Sequence, residues 1–411
     1  MGFQSGLSGL NTASKNLDVI GNNVANASVV GFKGSQAQFA DVFANSLLGG
    51  GAGQIGIGTK MATVAQMFSQ GNISVTSNPL DVAINGKGFF RMENNGAVTY
   101  TRNGQFRFDA QGFLVNSQGL NLTGYAADDS GNILPSAPSP IQISFADIAP
   151  EPTTEFRLGM NIDSREDVPD DATFSITNPR SYNRSTSGTV YDTLGNPHVF
   201  SIYLVKTANP NEWQMYGAVD GVLADADIGN GAGGAVTVTF DEEGNLLTGM
   251  PLDVSLDIAS GAATPLDFEF DLTGSTQYGS TFGVNDIAQD GFSSGRLAGF
   301  NVGADGILVG RYTNGQSRNL AQIVLADFRN PQGLNPLGDN QWEESSASGL
   351  PIVGMPGTGS VGVLQSSSVE DANVDLTAEL VNMITAQRVY QANAQTIKTQ
   401  DAILQTLVNL R

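Results

Sequence analysis

Residues 373–411 read NVDLTAELVNMITAQRVYQANAQTIKTQDAILQTLVNLR, a stretch without Gly or Pro and rich in Ala, Leu and Gln. Cap-type Asn373 and Asp375 precede Glu379, the composition of a helix N-terminus, so one long helix is predicted. Leu376, Leu380, Met383, Gln387, Tyr390, Ala394, Ile397, Asp401, Leu404 and Val408 recur at alternating steps of four and three, which is a coiled-coil stripe. At about 1.5 Å per residue such a helix is roughly 55 Å long, more than one compact domain covers. The stripe therefore calls for a partner. Its two polar positions, Gln387 and Asp401, are of the kind that fix register at some cost in stability.

A second stripe lies at the other end of the chain, where Leu10, Ala13, Leu17, Ile20, Val24 and Ala27 keep the same alternating spacing. Off the stripe this segment is small and polar (Ser5, Ser8, Asn11, Ser14, Asn16, Asn22, Asn23). A stripe of three to four turns is marginal as an isolated helix, so it is expected to order only on docking. Leu10, Leu17, Ile20 and Val24, with Leu380, Met383, Tyr390, Ile397, Leu404 and Val408, are the candidate surface for self-association.

Between these ends the composition changes. The 411 residues include 50 glycines and only 14% charged side chains, which predicts a mainly β protein with long terminal helices. No run of 18 apolar residues and no basic segment followed by an apolar one is present, so neither a membrane span nor a cleaved secretory signal is expected. Cysteine is absent, which removes disulfides, thiolate nucleophiles and Cys-based metal sites. The net charge of −21 is concentrated in residues 146–285, where 21 acidic residues face 5 basic ones. A surface of that sign disfavours nucleic acid as a partner.

Residues 28–70 read as a connector with a short helix over 39–48 and a glycine cluster at 49–58. Gly51, Gly53 and Gly56 satisfy G-x-G-x-x-G, yet no strand precedes them and no acid follows at about 20 residues, so a dinucleotide site is not supported. From residue 71 short alternating runs broken by turns predict strands and hairpins. An acid followed by Gly and an apolar residue recurs at Asp109–Gly112, Asp129–Gly131, Asp241–Gly244 and Asp305–Gly306, the chemistry of a turn in which Asp caps its own backbone. None of these, nor Asp225-Ala-Asp227, matches a calcium loop. No cofactor and no metal is expected.

Strand runs at 199–205, 235–240 and 266–272 lie inside the acidic stretch, and residues 291–328 return to the style of 81–125. The simplest organisation is nested. Residues 1–27 with 366–411 form a terminal helical domain, 28–70 the connector, 71–145 with 286–365 a β-rich middle domain, and 146–285 an inserted acidic β domain.

No catalytic constellation is legible. An acyl-transfer triad needs a His, and the single one, His198, stands beside Pro197 just ahead of a strand run, the setting of a structural or exposed imidazole. The carboxylates of the middle read as a solvated face rather than a glycosidase pair. Trp213 and Trp342 are singletons rather than a stacking platform.

Three stretches together resemble the flagellar axial family of rod and hook proteins. They are GLSGLNTASKNLDVIGNNVANASVVGFKGSQAQFADVF at 6–43, NPLDVAINGKGFF at 78–90, and SVEDANVDLTAELVNMITAQRVYQANAQTIKTQDAILQTLVNLR at 368–411, supported by GRLAGFNVGADGILVGRYTNGQ at 295–316 and NPQGL at 330–334. Ser28-Val29-Val30 departs from the Asn/Thr-type turn more usual before Gly-Phe-Lys. The first two stretches are common to rod and hook members; the length and the acidic insertion favour the hook branch. The resemblance implies a non-enzymatic structural subunit. It would be exported unfolded through the flagellar type III apparatus and polymerise with itself into a tube that works as a universal joint between rod and filament. It further implies an extracellular place in the hook of the basal body, and as partners the distal rod protein, the hook cap and the hook-associated junction protein. The competing expectations are a rod protein of the same family and an acidic surface enzyme or adhesin on a helical stalk.

Overall fold

A computed structural model describes residues 2–42, 56–128, 130–223, 226–228, 234–258 and 260–409. The chain is mainly β with two helices, α1 (Gly2–Ala25) near its start and α2 (Leu376–Asn409) near its end. It divides into two compact units. Unit 1 comprises Met1–Ser144, Gly299–Arg311 and Ser317–Arg411; unit 2 comprises Phe145–Ala298 and Tyr312–Gln316. No described helix is long and apolar enough to cross a membrane.

In unit 1, α1 is followed by strand β1 (Ser35–Val42), which pairs antiparallel with β2 (Gly58–Gln66) through a bulge at Gln38/Phe39. The helix expected over 39–48 is corrected here. Residues 39–42 are strand because Ala37 and Phe39 alternate with polar neighbours and pair across to Val64 and Met61. Positions 43–48, and Gly51 and Gly53 of the glycine cluster, lie outside the described residues. Short strands then follow: β3 (Ile73–Val75), β4 (Val82–Asn85), β5 (Phe89–Asn94) and β6 (Ala97–Thr101). Residues of the chain's last third complete these sheets. Ser368–Glu370 pairs with β3, Val363–Ser366 with β4, and Gln341–Glu343 with β6. A core of edge-to-face aromatics closes the unit, with Tyr100 and Phe328 at 4.8 Å, Phe89 and Phe328 at 5.9 Å, and Phe68 and Trp342 at 5.7 Å.

Unit 2 has two sheets over one core. The strands 184–191, 197–206, 212–219 and 236–239 form an antiparallel sheet, and 226–228, 252–256, 266–271, 155–163 and 276–278 form the other, with 283–289 also paired to 155–163. Their inward residues alternate along each strand and meet in Phe156, Phe200, Trp213, Phe268 and Phe270, all buried. Trp213 and Trp342 are therefore core residues, one in each unit.

The Asp-Gly turns share one construction. The Asp109, Asp128, Asp192 and Asp241 Oδ1 atoms accept the backbone N–H four residues on, at 2.7, 2.8, 2.8 and 2.7 Å. In the second of these the carboxylate of Asp128, three residues before the positive-φ Gly131, reaches both turn amides, while Asp129 lies outside the described residues.

Candidate polymer interface

The two helices run antiparallel, and small residues set their distance. A Cβ placed on Gly9 would lie 2.7 Å from the Asn393 side chain, and one on Gly6 would lie 3.1 Å from Ile397. A larger residue at Gly9 would displace the Asn393 side chain from the seam. Ala13, Ile20 and Asn23 of α1 and Ala386 of α2 are buried along the same seam. At its far end Asn23 Nδ2 donates to Glu379 Oε1 at 3.1 Å and to the Ser35 carbonyl at 2.8 Å, while its Oδ1 accepts from Ser35 N–H at 2.9 Å. Every polar atom of this buried side chain is thereby satisfied.

The α2 positions turned to α1 are Glu379, Met383, Ala386, Asn393, Ile397 and Gln400, all buried or half-buried. This seam keeps the alternating steps but is displaced by one residue at every second position from the apolar stripe of the sequence. Met383 and Ile397 belong to both. Leu380 and Gln387 face outward instead of Ala386, and Asp401 lies exposed. Close approach of helix backbones favours Ala and Asn over Leu on the contact line, so hydropathy alone points to the neighbouring row. On α1, Ile20 is buried and Leu10, Leu17 and Val24 are half-buried.

Where both chain ends enter the β core, a buried ionic cluster holds them. The Glu370 carboxylate accepts from Lys33 Nζ at 2.6 Å, Arg102 Nη1 at 3.0 Å and Gly71 N–H at 2.9 Å, and none of the three side chains is more than 5% exposed. Lys33 also donates to the Ser69 carbonyl, and Arg102 to the Gly86 carbonyl and over the Phe89 ring. Burial pushes the Lys33 amine below the ordinary lysine value, with Glu370 opposing and Arg102 adding to the shift. Asn373 bridges the same region, accepting from Gly34 N–H and donating to the Met67 carbonyl. Asp375 caps α2 by accepting from Thr377 and Ala378 N–H. The Asp375 cap was legible in sequence; the cluster was not, since Glu370 stands hundreds of residues from both Lys33 and Arg102.

What remains uncovered is the other side of α2. Leu376, Leu380, Val381, Ile384, Val389, Tyr390, Ile403 and Leu404 are exposed, as are Phe3 and Leu7 of α1. Leu404 falls four residues after Gln400 on the row that faces α1, yet it is 53% exposed, because α1 does not extend along that part of α2. The side chain of Val408 lies outside the described residues. Between α1, the β1–β2 hairpin and α2 runs an open groove of about 720 Å³ with Val19, Phe39 and Val389 in its lining.

Two helices of this kind on a β body can be compared with known proteins. Flagellar hook protein FlgE of Escherichia coli K12 is 43% identical over 420 residues, covering all of both chains. The chain belongs to the flagellar hook protein family. The hook protein of Salmonella typhimurium is also 43% identical over the full length of both, and that of Borreliella burgdorferi is 31% identical over 99% of this chain and 98% of its own. Four family profiles match along the chain. They are the flagellar basal body rod protein at 3–33, the flagellar hook protein FlgE/F/G D1 domain at 83–178, the flagellar basal body protein FlaE D2 domain at 161–292, and the flagellar basal body rod FlgEFG protein C-terminal at 365–410. Among solved structures, Helicobacter pylori flagellar hook protein FlgE2 superposes with a TM-score of 0.53 at 14% identity, covering 72% of this chain and all of that one, a likeness of fold.

Proposed function

We propose that the chain is the structural subunit of a flagellar hook, a self-polymerising tube that passes torque from rod to filament while bending. The observation that carries this reading is the 43% identity to hook proteins across the whole chain, insertion included. A rod protein of the same family is the weaker reading, because the match runs through the FlaE D2 domain segment at 161–292.

In this reading the α1–α2 pair packs coiled-coil fashion with its copies into an inner tube, and along the sequence the acidic unit 2 is an insertion nested within unit 1. The exposed apolar row of α2 supports this placement, since such a row is covered in a polymer and not in a lone subunit. Work of this kind is mechanical, so no side chain is assigned chemistry. Export through the flagellar type III apparatus and contacts with the distal rod protein, hook cap and hook-associated junction protein follow from the same reading. Electron microscopy of polymer grown from purified chain tests it. A short curved tube is the expected outcome; a straight rod favours the rod reading, and no assembly at any concentration or salt removes both.

A further inference from the structure

The chain's single histidine is buried in unit 2 between two carboxylates. His198 Nδ1 lies 2.7 Å from Asp220 Oδ2, and Nε2 lies 3.3 Å from Asp192 Oδ2. An ionised carboxylate only accepts hydrogen bonds, so both contacts are satisfied only if both ring nitrogens carry a proton. The neutral ring would turn a lone pair toward one of the carboxylates.

Each carboxylate is also tied to the backbone. Asp192 Oδ1 accepts from Leu194 and Asn196 N–H in the turn between strands 184–191 and 197–206. Its Oδ2 accepts from Asn196 Nδ2 at 2.9 Å and from Ser260 Oγ at 2.6 Å, and Ser260 belongs to the segment joining strands 252–256 and 266–271 of the other sheet. Asp220 Oδ1 accepts from Val199 N–H at 2.9 Å, and Asp220 itself sits at φ 47° in the turn after strand 212–219. The charged groups facing the ring are thus Asp192 from one turn and Asp220 from the next; the segment from the other sheet contributes the neutral Ser260.

We propose that His198, as imidazolium, is an alkaline-released latch that pins the 219–222 turn to the 191–198 turn in unit 2. The two aspartates are unequal. The Asp192 side chain is fully buried and held by five donors, whereas the Asp220 side chain is 52% exposed, so Asp220 is the partner that leaves for water when the ring loses its proton. Burial alone would lower the imidazole's affinity for its proton, but the hydrogen bonds that the ring donates to Asp220 and Asp192 outweigh it and raise the pKa above 6.5. The stabilisation is therefore complete below the unfolded value of about 6.5 and is lost as pH rises through the folded value. The latch involves no residue of the α1–α2 seam.

With one histidine, the full-length chain carrying 13C-labelled His gives a single titrating imidazole signal. Its midpoint is expected above 6.5, and in Asp220→Asn, which keeps the acceptor for Val199 N–H but removes the charge, it is expected to fall by at least about half a pH unit. Thermal unfolding of the wild type is expected to lose stability with pH through that midpoint, a step absent from His198→Gln. A wild-type midpoint at or below about 6.5, an unchanged midpoint in Asp220→Asn, or the same pH step in His198→Gln would each overturn the latch.

Discussion

Glu370 is the anion on which unit 1 closes. Its carboxylate meets Lys33, Arg102 and the Gly71 amide, with no exposed surface on the Lys or the Glu side chain. In Glu370→Gln the shape is kept, but two buried cations lose their counter-charge. Breaking a buried pair from one side costs about 3–5 kcal/mol. The two tryptophans allow the loss to be located, because Trp342 belongs to unit 1 and Trp213 to unit 2. With Trp213→Phe as background, urea unfolding is read at Trp342, and with Trp342→Phe it is read at Trp213. For a slope of about 2–3 kcal/mol per M, the Trp342 midpoint falls by about 1–2.5 M and the Trp213 midpoint stays in place. The deficit narrows as pH rises toward the ordinary lysine value of about 10.4, since the fold with Lys33 unpaired binds fewer protons than the unfolded chain. A fall below about 0.3 M at Trp342 would refute the cluster's role, and an equal fall at both tryptophans would refute its location.

Two further outcomes follow from the same geometry. Gly9→Leu drives a side chain into Asn393 and weakens the helix pair by about 1–3 kcal/mol, whereas Gly21→Leu, whose Cβ meets nothing within 4 Å, stabilises α1 slightly; limited proteolysis releases α1 faster in the first and not in the second. The acidic stretch 146–285 faces like charge on neighbouring copies, so the critical concentration for assembly falls between about 10 and 150 mM salt, where the Debye length shrinks from about 30 to 8 Å; sedimentation across that range checks it.

The periodic parts of this fold were legible in sequence because burial imposes a period. The α2 helix, the strands at 199–205 and 266–272 and the Asx-type turns each repeat a pattern that packing requires. What escaped was decided by residues that carry no hydropathy signal. Gly6, Gly9 and Asn393 set the helix distance and shift the seam by one position, a choice that Leu and Met at neighbouring positions conceal. Asn23 reads as polar surface and is buried, since its partners Ser35 and Glu379 reach it only after the chain has folded back. The Lys33–Glu370–Arg102 cluster spans 337 and 268 residues of sequence, and nothing local announces it. Over 39–42 the error was one of period, because Ala and Phe alternate over too few residues to tell strand from helix. His198, read as structural or exposed, is buried, and its two carboxylates come from separate turns.

The claim on which the account rests is that the apolar surface of α2 left uncovered by α1 is where copies join. Leu404 lies on the part of α2 that α1 does not reach, and a covered aliphatic side chain there contributes about 2 kcal/mol, worth roughly thirtyfold in affinity. The decisive measurement is the critical concentration for assembly of Leu404→Asp against wild type and against Gln405→Asp, which gives up only a surface hydrogen bond to Asp401. The account predicts at least a thirtyfold rise, or no tubes at all, for Leu404→Asp, near-normal assembly for Gln405→Asp, and unchanged urea midpoints at both tryptophans in each. Leu404→Asp tubes forming at the wild-type concentration, or a Leu404→Asp subunit that unfolds before it fails to assemble, would contradict it.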